Sequence, residues 1–266
     1  MSEGVPAGQS GALAGRTVVV TRASHQAAQL AEVLRQHGAR AVVAPALAIV
    51  PPLDGGQPLD DALLRLERFS WVAFASPNAV AATLARADRR GVRRRFARIR
   101  VAAVGPSTAS RVMAELDRPP NLVPDQHDAA GLAAAFADPR PGDACFVPQS
   151  ASARPELVDG LRARGWEVAA VTAYRTVTPT LSDHLAADIA AADAVVFASP
   201  SAVQGHLAQT GGLLANAKVV CIGRTTAAAC SSAGLEVAAV APQPSDAGLV
   251  DAVAQALNAT QPASQS

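Results

Sequence analysis

Phe74-Ala75-Ser76-Pro77-Asn78-Ala79-Val80 recurs later in the chain as Phe197-Ala198-Ser199-Pro200-Ser201-Ala202-Val203. In both copies an apolar run leads in: Trp71-Val72-Ala73-Phe74 and Ala194-Val195-Val196-Phe197. A stretch with helical apolar spacing leads out, over 79–87 and 202–208. Ser followed by Pro at that junction reads as a helix N-cap with Pro in the first turn. Each copy is therefore a strand, a tight turn and a helix. Three further matches keep the same order: Leu34-Arg35-Gln36-His37-Gly38 with Leu161-Arg162-Ala163-Arg164-Gly165, Val104-Gly105-Pro106-Ser107-Thr108-Ala109 with Ile222-Gly223-Arg224-Thr225-Thr226-Ala227, and Asp128-Ala129-Ala130-Gly131-Leu132 with Ser245-Asp246-Ala247-Gly248-Leu249. Four matches in one order divide the chain into two related halves, about 17–137 and 143–258.

The alternation extends through both halves. Strands are expected at 16–20, 41–44, 71–74, 101–104, 122–123, 145–147, 168–171, 194–197 and 219–222. Helices are expected at 26–36, 79–87, 108–116, 129–137, 154–164, 202–208, 226–233 and 246–257. Near-continuous apolar strands alternating with helices imply parallel sheets covered on both faces. The fold class is α/β, with two similar parallel-sheet lobes of flavodoxin-like strand–helix alternation. Residues 46–52 and 173–179 are proline-bounded, extended segments at matching places, and read as linker strands. A chain crossing at both would build one discontinuous lobe from 1–49 and 177–266 and a second from 50–176. The active site is then expected in the interdomain cleft, where ligands commonly bind.

The 266 residues carry 23 Lys+Arg against 22 Asp+Glu, and half are hydrophobic. Near-neutral charge excludes a general nucleic-acid binder, and the apolar content excludes a disordered chain. No apolar run reaches the roughly 18–20 residues of a membrane span. The first fifteen residues lack signal-peptide character and read as a disordered lead-in, so a cytoplasmic location is expected. Cys145, Cys221 and Cys230 are odd in number and lack CxxC spacing; each reads as a buried small hydrophobe. His25, His37, His127, His184 and His206 are scattered, read as solvent-facing, and suggest no metal site. The arginines over 86–100 read as a solvated helix and loop.

The repeated turns carry the chemistry. Helix N-termini expose N–H groups that bind anions without a basic composition. Taken singly, each turn is also an ordinary helix cap. With all four at strand C-terminal ends, Ser76, Asn78, Thr108, Ser199, Ser201, Thr225 and Thr226 are expected to face one ligand carrying several carboxylates or phosphates. Arg22 and Arg154 follow the first strand of each half and are the cations placed to reach such a ligand. No nucleotide fingerprint and no Gly-x-Ser-x-Gly elbow occurs. Tyr174, the only tyrosine, lies at the second crossing. It reads either as a hydrogen-bond donor to a departing oxygen or as a packed strand aromatic.

Thr21-Arg22, the two Phe-Ala-Ser-Pro turns, the two Gly turns at 105 and 223, and Ala173-Tyr174-Arg175-Thr176 occur in an order that resembles the uroporphyrinogen-III synthase family over residues 15–258. The resemblance implies two α/β lobes joined by a two-stranded ladder. It implies cyclisation of hydroxymethylbilane, a linear tetrapyrrole with eight carboxylates, to uroporphyrinogen III with inversion of ring D, through an azafulvene and a spiro intermediate. It implies no cofactor and no metal, a monomer, and possible handover of substrate from hydroxymethylbilane synthase. Tyr174 matches the tyrosine that assists loss of the hydroxyl, and Thr108 the Gly-x-x-Thr threonine; both are candidate catalytic residues. Ser76, Asn78, Ser199, Ser201, Thr225 and Thr226, with Arg22 and Arg154, are candidates for holding the acetates and propionates. Arg224 stands where the family commonly has Pro. The competing reading is a non-catalytic two-lobe binding protein for a polycarboxylate. A regulator retaining the fold is a third reading, but no DNA-binding helix pair is evident.

Overall fold

A computed structural model describes residues 11–22, 24–212 and 216–259. In chain order the elements are β1 (Thr17–Val20), α1 (Ser24–Gln36), β2 (Arg40–Val43), β3 (Ala48–Val50), α2 (Gln57–Leu64), β4 (Trp71–Phe74), α3 (Pro77–Arg89), β5 (Arg100–Ala103), α4 (Pro106–Leu116), α5 (Ala129–Ala135), β6 (Ala144–Ser150), α6 (Glu156–Ala163), β7 (Glu167–Val177), α7 (Asp183–Ala190), β8 (Ala194–Phe197), α8 (Pro200–Thr210), β9 (Lys218–Cys221), α9 (Arg224–Ser232), β10 (Val237–Val240) and α10 (Asp246–Asn258). Short 3-10 turns occupy Leu66–Arg68 and Arg93–Arg98.

The chain divides into two compact units. The first spans Met1–Ala48 and Val177–Ser266; the second spans Ile49–Thr176. The first unit holds a sheet in the order β10-β9-β8-β1-β2, and the second holds β3-β7-β6-β4-β5. The neighbours from β10 to β2, and from β7 to β5, pair in parallel. β3 lies within the first segment read as a linker, and β7 joins the strand expected at 168–171 to the start of the second; the two lie side by side in the second sheet.

Strand composition follows from burial on both faces. In the first sheet, Val18, Val20, Val196 and Val220 pack with Leu30, Leu34, Leu249 and Val253 from α1 and α10. The alternate residues Val19, Val195, Phe197 and Cys221 pack with Val203, Ile189 and Cys230 on the other face. The second sheet repeats this. Val72, Phe74 and Val101 face α2, α3 and α4, while Ala73, Ala102 and Cys145 face α5 and α6. With a side-chain period of two and both faces covered, neither set can be polar.

Several expectations change. Among the first fifteen residues, 1–10 lie outside the described residues. Leu13, however, is fully buried in the first core, and its N–H donates to His37 O at 3.0 Å. Residues 122–123 form no strand; Leu122 makes one bridge to Ala102. The helices α2 and α7 and the strand β10 have no counterpart in the sequence reading. Each is short, and Pro58 in the first turn of α2 gives that segment a loop-like composition.

The arginine-rich stretch is more than a solvated face. Asp60 is buried, and Arg86 grips it through Nε at 2.5 Å and Nη2 at 2.6 Å while also donating to Gly55 O. Arg90 joins the same carboxylate. Arg93 ties Asp88 to Glu115 at the end of α4, and Arg100 lies 4.6 Å above the Trp71 ring. Arg89, Arg94 and Arg98 remain exposed. Hydrogen bonds from Arg86 and then Arg90 hold the Asp60 carboxyl well below the usual carboxylate range.

All three cysteines are free buried thiols, and Cys221 and Cys230 place their sulfurs 3.5 Å apart. Burial pushes Cys145 up to about 12. His37, His127 and His184 are exposed, and the His25 side chain lies outside the described residues. His206 is the exception, fully buried in α8 edge-on to Phe197 at 5.4 Å. No protein group among the described residues hydrogen-bonds either ring nitrogen. Burial lowers its pKa to about 4. The helical period placed position 206 inward, and a neutral imidazole serves there as an aromatic filler. Among the described residues no helix is long and apolar enough to cross a membrane, and no group of three His, Cys, Asp or Glu is arranged to hold a metal.

The buried charges make stability depend on pH. Asp60→Asn leaves Arg86 without its counter-ion and is expected to cost about 2–4 kcal/mol at neutral pH in urea denaturation. Because the folded pKa is depressed, that deficit persists down to about pH 4 and shrinks below it. A deficit independent of pH would contradict the assignment. His206→Leu is expected to stabilise by about 1 kcal/mol at pH 7 by removing unpaired buried nitrogens. It should also abolish the loss of stability on acidification from about pH 6.5, the unfolded value, down to about 4. Parallel pH curves for wild type and variant would contradict it.

Candidate active site

Three turns of the second unit build one cavity. β4 ends at Phe74, and Ser76 caps α3 in an extended conformation, its Oγ accepting from Ala79 N at 3.1 Å. β6 ends at Ser150, and its loop carries Arg154 into α6. Asp128 caps α5 by accepting from Gly131 N at 2.7 Å. Pro77 in the first turn of α3 fixes φ and lacks the N–H that the helix would leave unbonded there. Ser76, Asp128, Gln149, Arg154, Glu156 and Tyr174 supply the polar lining of a cavity of about 450 Å³.

Tyr174 enters this cavity from the long strand β7, opposite Ser150 of β6. Its ring packs in the core with Val72, Phe74 and Phe146, and the residue is only 7% exposed. Its hydroxyl lies 3.1 Å from Ser76 Oγ. The ring is thus a packed strand aromatic, and the phenol oxygen lies in a polar niche beside Ser76. Below it, a smaller cavity of about 180 Å³ runs between Tyr174, Val50, Leu59 and the stem of Arg86.

Arg154 is exposed in the lining, and no carboxylate among the described residues pairs with it. Arg22 differs. Its Nη1 lies 2.5 Å from Asp246 Oδ1 in the first turn of α10, and both side chains are mostly buried. An arginine so paired is largely committed to holding its own helix terminus.

The remaining candidates divide by exposure. Asn78 is the second residue of α3, half-buried and outside the cavity lining. Thr108 and Thr226 are the third residues of α4 and α9 and are buried, at 1% and 3% exposure. Both residues are largely shielded from solvent, while Thr225 and Arg224 are exposed at the start of α9. Ser199 caps α8, accepting from Ala202 N at 3.2 Å, and meets Ser201 Oγ at 3.1 Å. The third turn of each half has a shared cause. A Cβ at Gly131 would lie 2.3 Å from Gln126 O, and one at Gly248 would lie 2.4 Å from Gln243 O. Only glycine lets the chain fold back so closely over the helix start.

Asp128, Gln149, Ser150 and Glu156 were absent from the sequence candidates. The signal for Asp128 was its place in the repeat; that for the others was the strand-to-helix turn at 150–156. Chemically, the cavity offers an unpaired guanidinium, a phenol hydroxyl and the Ser76 hydroxyl at one sheet edge, beside the carboxylates of Asp128 and Glu156. That set suits an anionic ligand with a leaving group that needs a proton.

Comparison with known proteins agrees. The profile of the family described as Uroporphyrinogen-III synthase HemD matches residues 28–251. The chain is 33% identical over 252 residues to "Uroporphyrinogen-III synthase, chloroplastic" of Oryza sativa subsp. japonica, covering 91% of this chain and 81% of that protein. It is 31% identical to "Uroporphyrinogen-III synthase" of Synechococcus elongatus over 63% of each chain. In fold it is similar to the crystal structure of a mutant uroporphyrinogen III synthase of the extremely thermophilic bacterium Thermus thermophilus, with a TM-score of 0.60 at 16% identity, covering 92% of this chain and all of that one. The similarity to uroporphyrinogen-III synthetase of Helicobacter pylori has a TM-score of 0.56 at 15% identity, covering 89% of this chain and 97% of that one. These relatives give no support to a non-catalytic binding protein.

Proposed function

The chain belongs to the uroporphyrinogen-III synthase family, and we propose from that premise that its second unit carries the reacting end of hydroxymethylbilane against Tyr174. The observation that carries this reading is the phenol of the only tyrosine, held 3.1 Å from Ser76 Oγ in the wall of the cavity that contains the unpaired Arg154.

The reaction breaks the C–O bond of the hydroxymethyl group, releases water and closes the ring, with ring D inverted. Tyr174 donates its hydroxyl proton to the departing oxygen. The electron pair of the pyrrole nitrogen forms the azafulvene, and the pyrrole N–H proton returns to the phenolate, so no proton is gained or lost at the protein. This net elimination makes the enzyme a lyase. A phenol has a pKa near 10 in water and is a weak acid, so the protein's main contribution is geometric. The free substrate can close without ring inversion. The site must hold a flexible polyanion so that the substituted carbon of ring D bonds to the azafulvene methylene as the spiro intermediate. Its old bond to the ring C methylene then breaks, and that methylene bonds the free α-carbon of ring D, which loses its proton.

The anionic groups supply the handles. Arg154, Ser76 and Asn78, whose N–H is the one left without an acceptor among the described residues in the first turn of α3, take carboxylates in the second unit. Ser199, Ser201 and Thr225, at helix starts of the first unit, are held as candidate carboxylate contacts. Thr108 and Thr226, in the first turns of α4 and α9, stay candidates for touching substrate, Thr108 in the catalytic step. Arg22 contributes through α10, given its bond to Asp246. The protein is read as a cytoplasmic monomer that receives its unstable substrate from hydroxymethylbilane synthase.

Tyr174→Phe is the direct test. It is expected to lower kcat about 10²-fold, within the usual contribution of a general acid, with KM changed less than about threefold. An unchanged rate would remove Tyr174 from the mechanism. Arg154→Gln is expected to do the opposite, raising KM about tenfold with kcat nearly unchanged, the signature of lost uniform binding. A fall in kcat alone would contradict its role as a carboxylate anchor.

A further inference from the structure

We propose that Ser76 is a positioning residue for Tyr174, donating its own hydroxyl proton to the phenol oxygen so that the phenol proton is left for the ligand. Ser76 Oγ has two polar neighbours among the described residues, Ala79 N and the Tyr174 hydroxyl, each at 3.1 Å. A serine hydroxyl has one proton and two lone pairs. Ala79 N–H occupies a lone pair, since an amide can only donate. The serine proton then has one acceptor in reach, the Tyr174 oxygen. Once the phenol proton is directed at a ligand in the cavity that both side chains line, the serine proton and the Tyr174 oxygen are left to satisfy each other.

The result is a directed chain from Ala79 N–H to Ser76 O–H to the Tyr174 oxygen. Each bond in such a chain polarises the next, and it starts at the positive end of the thirteen-residue α3. As Tyr174 gives up its proton, negative charge grows on the oxygen that Ser76 already faces. Donors aimed at developing charge act chiefly on the transition state. The same side chain therefore caps a helix, as its place before Pro77 implies, and also aims the phenol.

Because the chain has one tyrosine, spectroscopy reports this residue alone. The tyrosine Fermi doublet in ultraviolet resonance Raman spectra changes its intensity ratio in a known direction. The ratio rises when the phenol oxygen accepts a hydrogen bond and falls when the hydroxyl only donates. Ser76→Ala and Ser76→Gly both delete the donor, and glycine is a tolerated N-cap, so a folded comparison is retained. Both variants should lower the ratio, and Ser76→Thr should restore it. Each deletion should lower kcat about tenfold with KM within about twofold, the scale of one hydrogen bond, and Thr should recover most of the rate. A ratio unmoved by both deletions, or a shifted ratio with unchanged kcat, overturns the proposal. The kinetic part rests on the reaction proposed above, but the Raman part does not. Wild-type protein that fails to turn over hydroxymethylbilane while the ratio shifts as expected would defeat that reaction and leave the Ser76–Tyr174 bond standing.

Discussion

A parallel strand that passes directly into a helix leaves the helix's first N–H groups unbonded at the carboxyl edge of the sheet. Nearly every feature of the candidate site follows from that constraint. Ser76, Asp128, Ser199 and Ser245 each close one such terminus by accepting an N–H from three residues on. Glycine at 105 and 223 opens two more with no side-chain cap. The positive potential for a polycarboxylate therefore comes from backbone geometry. This is consistent with a chain of net charge +1.

The two units share this frame and differ in what hangs on it. In the second, the turn after β6 carries an arginine with no ion-pair partner among the described residues, and β7 delivers a phenol to the first turn of α3. In the first, Arg22 at the corresponding turn is bound to Asp246, and the exposed side chains at the helix starts include Ser201, Arg224 and Thr225. The phenol and the unpaired guanidinium thus lie in one unit, while helix starts of the other carry exposed hydroxyls. The arginine-rich stretch belongs to a different problem. Its paired members lock α2, α3 and the end of α4 together through Asp60 and Glu115, and α3 is the helix whose start carries Ser76.

The repeat made the α/β alternation legible, because residues that cover two sheet faces leave a continuous apolar run and a clear boundary at each Ser-Pro or Gly turn. The short α2, α7 and β10 were not legible, since they lie outside the four matched segments and Pro58 gives α2 a loop-like start. At the site, residue identity could locate Tyr174, Ser76 and Arg154 at turns. It could not separate Arg154 from Arg22, because the distinction is an ion pair to Asp246, 224 positions away. Nor could it show that Thr108 and Thr226 are buried while Thr225 is exposed, since a helix start rotates each successive residue by about 100°. His206 was misjudged for a related reason. Its chemistry suggested solvent, but the α8 period placed it on Phe197.

The central claim is that this arrangement steers a polyanion that otherwise closes the wrong way. The most direct measurement generates hydroxymethylbilane in situ with its synthase, adds the full chain, oxidises the product and separates the uroporphyrin isomers. The account predicts type III as the dominant isomer, far above the protein-free control. Type I alone, from protein shown to be folded, would contradict it.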